Sequence, residues 1–111
     1  MTINGFTITK SIYDRVENTY KINDVFATGM CFYFSEWMRN NYISDDTTED
    51  VYNNTSGVRD GCRLDIHDNY NLTDDGRYQI SYLYALENGI IYAAILDTDE
   101  DCYIGDIEIK A

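Results

Sequence analysis

The chain offers few side chains for catalysis. His67 is the single histidine among 111 residues, so any Cys-His or Ser-His pair would have to use it. It falls on the polar side of a predicted strand beside Asp65 and Asp68, where an exposed histidine near carboxylates is the commoner arrangement. The sequence contains no nucleophile-elbow, phosphate-loop, dinucleotide-binding or zinc-protease motif. We therefore predict that the protein is not an enzyme, with a small enzyme built on His67 as the weakest alternative.

The segment that begins at Asp97 has the spacing of a calcium-binding loop. Asp97, Asp99 and Asp101 stand at its first, third and fifth positions and Glu108 at its twelfth. Cys102 occupies the sixth position, where the sharp turn of an EF-hand requires glycine, and the flanking residues alternate as strands do. We predict no metal and no cofactor, and we keep a looser divalent-ion site at these four carboxylates as an alternative.

The acidic side chains are more informative as a surface than as catalytic pairs. Side chains two residues apart on a strand face the same way, about 6.6 Å apart, so Asp106 and Glu108, with Asp65 nearby, are expected to form a ladder of negative charge. That spacing is comparable to the spacing of phosphates along a nucleic-acid strand, and acidic loops and tyrosines would extend the surface. The predicted partner-binding residues are Asp45, Asp46, Glu49, Asp50, Asp65, Asp97, Asp99, Glu100, Asp101, Tyr103, Asp106 and Glu108.

The N-terminal part of the chain, residues 1–43, is predicted to contain a short strand followed by helices. Residues 5–9 alternate as a strand does, and apolar side chains at every fourth position from Ile12 to Tyr20 predict a first helix. Asn23 or Asp24 is expected to cap a second helix within residues 25–42, although the dense apolar run there leaves a strand as an alternative. The stripe that we expect to pack on a sheet consists of Phe26, Met30, Tyr33 and Trp37, with Phe34 and Met38 beside it.

The remaining residues have the pattern of an antiparallel β-meander. Residues 44–61 are polar and predict an acidic loop with one helical turn from Thr47. Strands are predicted over residues 62–67, 78–86, 90–96 and 102–109. Turns are expected at Asp74-Asp75-Gly76 and at Asn88-Gly89, where the second pair is typical of a type I′ hairpin. The predicted fold is α+β, with a four- or five-stranded antiparallel sheet and two helices packed on one face.

The negative charge lies in one part of what we predict to be a single domain. The 111 residues carry 20 acidic and 8 basic side chains, for a formal charge of -12. Residues 1–43 contain four of each sign, whereas the later residues contain sixteen acids and four bases. A polarised negative surface disfavours direct binding to nucleic acid or anionic lipid and favours a basic protein partner.

Cysteine usage and the start of the chain predict a cytoplasmic protein. Cys31, Cys62 and Cys102 are odd in number and widely separated, which fits neither a disulfide framework nor a zinc site, so we predict reduced core thiols. The first ten residues lack the basic and apolar regions of a signal peptide. If a phage encodes the protein, its location would be the host cytoplasm.

In size, acidity and uneven charge the chain is similar to acidic inhibitor proteins. These include phage anti-restriction and anti-CRISPR proteins that imitate DNA, and immunity proteins that block nuclease toxins. The similarity is one of composition, so it assigns no residue roles. It implies a non-enzymatic inhibitor, of the phage type, that binds the basic nucleic-acid site of a nuclease or guided effector. The alternatives are an immunity protein against a nuclease toxin and a divalent-metal-binding protein that uses residues 97–108.

Overall fold

The computed structural model describes residues 1–13, 21–59, 62–86 and 89–110. Within them the fold is α+β, with two helices, a two-stranded sheet of order β1-β2 and a five-stranded antiparallel sheet of order β3-β4-β5-β6-β7. In chain order the elements are β1 (Thr2–Ile3), β2 (Phe6–Thr7), α1 (Asp24–Asn40), α2 (Thr48–Asn53), β3 (Thr55–Arg59), β4 (Arg63–Asn71), β5 (Tyr78–Ala85), β6 (Ile91–Asp97) and β7 (Cys102–Lys110). Neither described helix is long and apolar enough to cross a bilayer.

The predicted meander is confirmed, and one more strand precedes it. β4 to β7 pair with their sequence neighbours, as short connections between antiparallel strands require. β3 pairs with β4 inside the segment that we predicted to be a loop. Its sequence, Thr-Ser-Gly-Val-Arg, has no apolar alternation, and its register shifts between Thr55 and Val58. Such an edge strand forms because its neighbour offers unpaired backbone groups, which local sequence patterns do not report.

The helical turn predicted from Thr47 is confirmed as α2. The Thr47 hydroxyl accepts a hydrogen bond from the backbone N–H of Asp50 at 3.3 Å, and the Asp50 carboxylate accepts one from the backbone N–H of Thr47 at 3.4 Å. This capping box satisfies two amides that the first turn would otherwise leave unpaired. Val51, on the inner side of α2, is 1% exposed and belongs to the main core.

One continuous helix, α1, occupies residues 24–40, so the alternative of a strand there is wrong. The predicted cap is confirmed, because the Asn23 side-chain oxygen accepts from the backbone N–H of Phe26 at 2.9 Å. The buried face is rotated from the predicted stripe: Tyr33 is exposed, and Phe26 and Trp37 are half-buried. The residues that α1 buries are Ala27, Met30, Cys31, Phe34, Ser35 and Met38.

The opening strand is shorter than predicted and continues as an arm along the sheet. β1 and β2 pair with each other through a turn in which Asn4 and Gly5 have positive φ. Thr9 then forms a bridge with Asp106, at the outer edge of β7. Residues 8–13, here called the arm, lead from the edge of β7 to the face of the sheet opposite the helices. The predicted helix from Ile12 to Tyr20 falls mostly on residues 14–20, which lie outside the described residues.

The five-stranded sheet buries side chains on both faces. The helices, β1 and β2 cover one face, where the main core forms. The other face, here called the tyrosine face, holds a smaller cluster of Tyr82, Tyr84 and Ala94, against which Ile12 and Tyr13 of the arm pack. Strands that are buried on both sides lose the simple alternation of polar and apolar residues.

The connection between β5 and β6 is short, as predicted. Gly89 has a φ of +84°, and its backbone N–H donates to the Leu86 carbonyl at 2.9 Å. Asn88, the other half of the predicted turn pair, lies outside the described residues. The turn at Asp74-Asp75-Gly76 is also present, and Gly76 has a φ of +72°, which glycine adopts without steric cost.

The three cysteines are free thiols, but one of them is not in the core. Cys31 is fully buried, and burial raises the pKa of its thiol to about 11, so it remains protonated and unreactive at neutral pH. Cys62 is also buried, with its sulfur 3.4 Å from the Tyr13 hydroxyl. Cys102 is exposed at the start of β7, so the prediction of three core thiols is wrong for this residue.

Candidate functional site

The strongest concentration of exposed carboxylates lies at one end of the five-stranded sheet. The β4–β5 loop and the β6–β7 loop meet there, because Thr98 donates to the Arg77 carbonyl from its backbone N–H at 2.8 Å and from its hydroxyl at 2.7 Å. Together the two loops present five exposed acids, here called the end surface: Asp74, Asp75, Asp99, Glu100 and Asp101. The contact is made by residues more than twenty positions apart in sequence.

One arginine organises the end surface without cancelling its charge. Arg77 donates from Nε and Nη2 to the two carboxylate oxygens of Asp97, both at 3.1 Å. Its Nε also lies 3.4 Å from a carboxylate oxygen of Asp99. Asp97 is 4% exposed. The positive charge of Arg77 is therefore balanced by a buried acid, and the negative charge of the five exposed acids remains in excess. The hydrogen bonds from Arg77 hold the pKa of Asp97 below its usual value.

Short side-chain hydrogen bonds fix the shape of both loops. The Asp75 carboxylate accepts from the Thr73 hydroxyl at 2.6 Å and from the Arg77 backbone N–H at 3.0 Å, and these bonds lower its pKa. In the facing loop the Asp97 carboxylate accepts from the backbone N–H of Asp99 at 3.1 Å. Aspartates are common in such turns because the short carboxylate bonds the backbone two residues on. These bonds hold the side chains of Asp75 and Asp97 in defined positions.

A second acidic group surrounds α2 and is here called the α2 surface. It consists of Asp45, Asp46, Glu49 and Asp50, together with Asp68 of β4. Asn54 holds α2 against β4, since its side chain donates to the Asp68 carbonyl and accepts from the Asp68 backbone N–H, both at 3.0 Å. Asp46, Asp50 and Asp68 line one open cleft of about 440 Å³, together with the amides of Asn53, Asn54 and Asn69.

An exposed tyrosine and a polar cleft lie between the two acidic groups. Tyr42 follows α1, is 97% exposed and has a positive φ of 59°. It borders a smaller cleft of about 240 Å³ that Asp74 of the end surface also lines. Ile43, another residue of that cleft, is two positions before Asp45 of the α2 surface. Tyr42 is therefore an exposed aromatic side chain beside both acidic groups.

The predicted ladder of Asp65, Asp106 and Glu108 does not form. Asp106 is 1% exposed, and one of its carboxylate oxygens accepts from the Tyr84 hydroxyl at 2.5 Å. Asp65 lies on the same face but is paired with Arg63 at 2.6 Å. Glu108 alone of the three is exposed. The prediction of a ladder was wrong because alternation along a strand indicates which face of the sheet a side chain occupies. It does not indicate whether another part of the chain covers that face.

The arm is what buries Asp106. Thr9 exchanges two backbone hydrogen bonds with Asp106, at 2.8 and 2.9 Å, and so adds a short extension to the edge of β7. The arm then passes across the tyrosine face, where the Tyr13 ring makes edge contacts with Tyr82 and Tyr84 at 6.0 and 5.2 Å between centroids. Removal of the carboxylate from water raises the pKa of Asp106, although the hydrogen bond from Tyr84 acts in the opposite direction.

Tyr103 remains accessible beside this buried cluster. It is 48% exposed, and its hydroxyl lies 2.9 Å from the Ser81 hydroxyl. The centroids of the Tyr103 and Tyr82 rings are 5.2 Å apart. The guanidinium of Arg63 lies over the Tyr82 ring, 3.9 Å from its centroid. Tyr103 and Glu108 thus face away from the helices, whereas the end surface and the α2 surface carry most of the other predicted acids.

The geometry does not assemble the calcium loop suggested by the spacing. Asp97 pairs with Cys102, whereas Glu108 pairs with Tyr92, which is five positions before Asp97 on β6. The two acids are therefore separated by about 17 Å of strand. Both oxygens of Asp97 are engaged by Arg77. Across the described ranges, no three cysteine, histidine or acidic side chains are arranged to hold a metal ion.

His67 is exposed on β4, and its backbone N–H donates to the Asn54 carbonyl at 2.8 Å. Cys31 lies in the core and Cys102 at the start of β7. Neither of these thiols is on β4, and Cys62, which directly precedes β4, is buried with its sulfur 3.4 Å from the Tyr13 hydroxyl. The position of the histidine is that of an ordinary surface residue on a half-covered strand.

Sequence patterns missed three acids of this candidate site. Asp74 and Asp75 were recognised as part of a turn but not as acids of the surface, and Asp68 was considered only as a neighbour of His67. Tyr42 was among the tyrosines expected to extend the acidic surface. A signal existed for Asp74 and Asp75, because adjacent aspartates in a turn must project into water. Their position beside residues 98–101 depends on the pairing of β5 with β6, which is a property of the folded sheet.

No protein-family model matches the chain, and neither a curated protein nor a solved structure matches it.

Proposed function

We propose that the protein is a non-enzymatic inhibitor, of the phage anti-CRISPR or anti-restriction type, that binds the basic nucleic-acid site of a nuclease or guided effector. The observation that carries the proposal is the end surface, in which five exposed carboxylates lie on two mutually bonded loops. The one arginine of those loops is already matched by the buried Asp97. Fixed negative charge of this density attracts a groove lined by lysine and arginine, and it would compete there with nucleic acid.

The α2 surface and Tyr42 extend the proposed contact. Asp74 and Tyr42 line the same cleft, so a partner that covers the end surface also reaches the start of the α2 surface. Carboxylates fixed by turns and by a capping box lose little conformational entropy when a partner binds, and preorganisation of this kind favours affinity. Among the predicted contact residues, we replace the buried Asp97 and Asp106 with Asp74 and Asp75, and we leave out Asp65, Tyr103 and Glu108, which lie on the tyrosine face.

The test uses two acids of the end surface whose side chains make no hydrogen bond or ion pair in the described structure, Asp74 and Glu100. The double variant Asp74→Lys/Glu100→Lys should lose inhibition of DNA cleavage when purified guided effectors and restriction nucleases are assayed with increasing inhibitor. We expect affinity for an inhibited enzyme to fall by about tenfold or more, through slower association, and to depend less on salt.

The matched control reverses two acids elsewhere, Asp24 in the first turn of α1 and Glu108 on the opposite sheet face. Asp24→Lys/Glu108→Lys changes the net charge by the same amount, so it should retain most of the inhibition. Equal loss in both double variants would show that net charge alone acts and would reject the end surface as the binding site. Inhibition of nuclease toxins, with none of guided effectors or restriction nucleases, would favour the immunity-protein alternative.

A further inference from the structure

The outward face of α1 carries apolar side chains where a surface helix normally carries polar ones. Val25 is 84% exposed, Phe32 45% and Tyr33 37%. Their spacing of seven and eight residues places them on one side of the helix, with Gly29 between them. A cleft of about 440 Å³ runs along this side and is lined by Phe26, Met30, Ile91 and Lys110, among others. The Lys110 ammonium lies over one face of the Tyr33 ring, 3.6 Å from its centroid, so the edge and the other face of that ring are the parts open to a partner. Contiguous exposed apolar surface of this kind is typical of a protein interface.

Gly29 is the second unusual feature of this face. Glycine inside a helix costs about 1 kcal/mol relative to alanine, and a Cβ built at Gly29 meets no atom within 4 Å. Packing within the chain therefore gives no reason for a glycine here. A second helix that crosses α1 at Gly29 would explain the glycine. The distance between two helix axes depends on the size of the side chains at their contact, so a glycine there permits a close approach.

The distribution of charge indicates which partner fits. Residues 1–43 are neutral, whereas the rest of the chain carries the whole charge of -12. Two copies that met through their acidic surfaces would repel each other. The outward face of α1 belongs to the neutral part, so a second copy can approach it without that penalty. Glu36 of α1 and Lys21, which precedes the first residue of α1 by three positions, are both exposed. They lie seven residues after and eight residues before Gly29.

We propose that α1 mediates self-association into a two-fold symmetric dimer in which the two helices run antiparallel and cross at Gly29. This symmetry places Val25 of one copy against Tyr33 of the other, since the two residues are equidistant from the crossing point. It also brings Lys21 of each copy close to Glu36 of its partner, twice per dimer. A two-fold interface uses the same patch on both copies and closes on itself.

Sedimentation velocity of the full chain over a concentration series tests the proposal. The wild-type protein should change from monomer to dimer as its concentration rises. Gly29→Gln adds a long side chain at the crossing point and should weaken the dimer by at least about tenfold, a change of about 1.4 kcal/mol in dimerisation free energy. Glutamine is a better helix former than glycine, so far-UV circular dichroism should show a folded monomer. A wild-type protein that stays monomeric throughout the series overturns the proposal.

A charge exchange tests the antiparallel geometry. Lys21→Glu and Glu36→Lys should each weaken dimerisation, and the double variant Lys21→Glu/Glu36→Lys should recover most of the wild-type affinity because the pair is restored with its signs reversed. Lys10→Glu and Glu49→Lys are the matched controls, since they make the same charge changes at exposed positions outside α1, and each should leave the dimer intact. If the double variant loses as much dimerisation free energy as the two single variants together, the antiparallel arrangement is rejected. It is also rejected if the control variants weaken the dimer as much as Lys21→Glu and Glu36→Lys do.

Discussion

Asp106 is a carboxylic acid whose ionisation is coupled to the folded state. Its side chain is 1% exposed and accepts from the Tyr84 hydroxyl at 2.5 Å. Burial raises its pKa above the usual value, so the folded protein binds a proton there more tightly than the unfolded chain does. Asp106 therefore contributes fully to stability at pH values below its pKa in the unfolded chain. This contribution is lost as the pH rises through the higher pKa that Asp106 has in the folded protein.

Asp106→Asn should remove this pH dependence. We expect the variant to have a smaller free energy of unfolding than the wild type at about pH 4. This difference should decrease as the pH rises to about 7, because only the wild type must then bury a charge. Urea unfolding at several pH values measures the difference.

Tyr84→Phe provides the complementary measurement. It removes the hydrogen bond that lowers the pKa of Asp106, so it should cost more stability at neutral pH than at acid pH. A stability difference between Asp106→Asn and wild type that does not vary with pH would contradict the coupling.

At the scale of elements, the arm and β7 depend on a close approach at Gly105. A Cβ added at Gly105 would overlap the Thr9 carbonyl oxygen and would lie 2.9 Å from Ile8 Cγ2, and the residue has a φ of +153°. A non-glycine residue in this position carries backbone strain in addition to the steric overlap. Gly105 is therefore the residue that permits the arm to pair with the edge of the sheet.

Gly105→Ala should destabilise the protein by about 3 kcal/mol, through strain and loss of arm docking. Hydrogen exchange should show faster exchange of the Thr9 and Asp106 amides, which bond each other's carbonyls in the wild type. Gly89→Ala is the matched control, because Gly89 also has a positive φ but nothing lies within 4 Å of an added Cβ. We expect it to cost about 1 kcal/mol, and equal costs at the two positions would contradict the role assigned to Gly105.

At the scale of the whole molecule, a net charge of -12 on 111 residues opposes compactness. Ten of the twenty acids lie on the end surface and the α2 surface. The structure holds these like charges together through sheet pairing, the Arg77–Asp97 ion pair and the turn hydrogen bonds. Repulsion between the acids of these two surfaces therefore opposes folding.

Added salt should therefore stabilise the protein. Between about 0.01 and 0.15 M NaCl the Debye length falls from about 30 to about 8 Å, so repulsion between the acids of the end surface weakens and the melting temperature should rise. In Asp74→Lys/Glu100→Lys this rise should be smaller, since two of the repelling charges are reversed. Differential scanning calorimetry measures both slopes, and a wild-type melting temperature that falls with salt would contradict the prediction.

Local signals in the sequence determined most of the elements of this fold, although not β3. Alternation identified the strands of the meander, Asn23 and Thr47 identified the starts of both described helices, and the count of acids located the charge in the later part of the chain. Each signal depends on residues within a few positions of one another, because hydrogen bonds in caps and turns and the periodicity of strands are local properties.

The tertiary structure decided which acids can meet a partner. Pairing of β5 with β6 brings residues 72–77 beside residues 98–101 and creates the end surface. The arm covers Asp106, and Arg77 occupies Asp97, so two acids of the predicted patch are withdrawn from solvent. Exposure depends on what packs over a side chain from distant parts of the chain. The sequence therefore determined the amount and sign of the charge, and only packing decided where that charge is accessible.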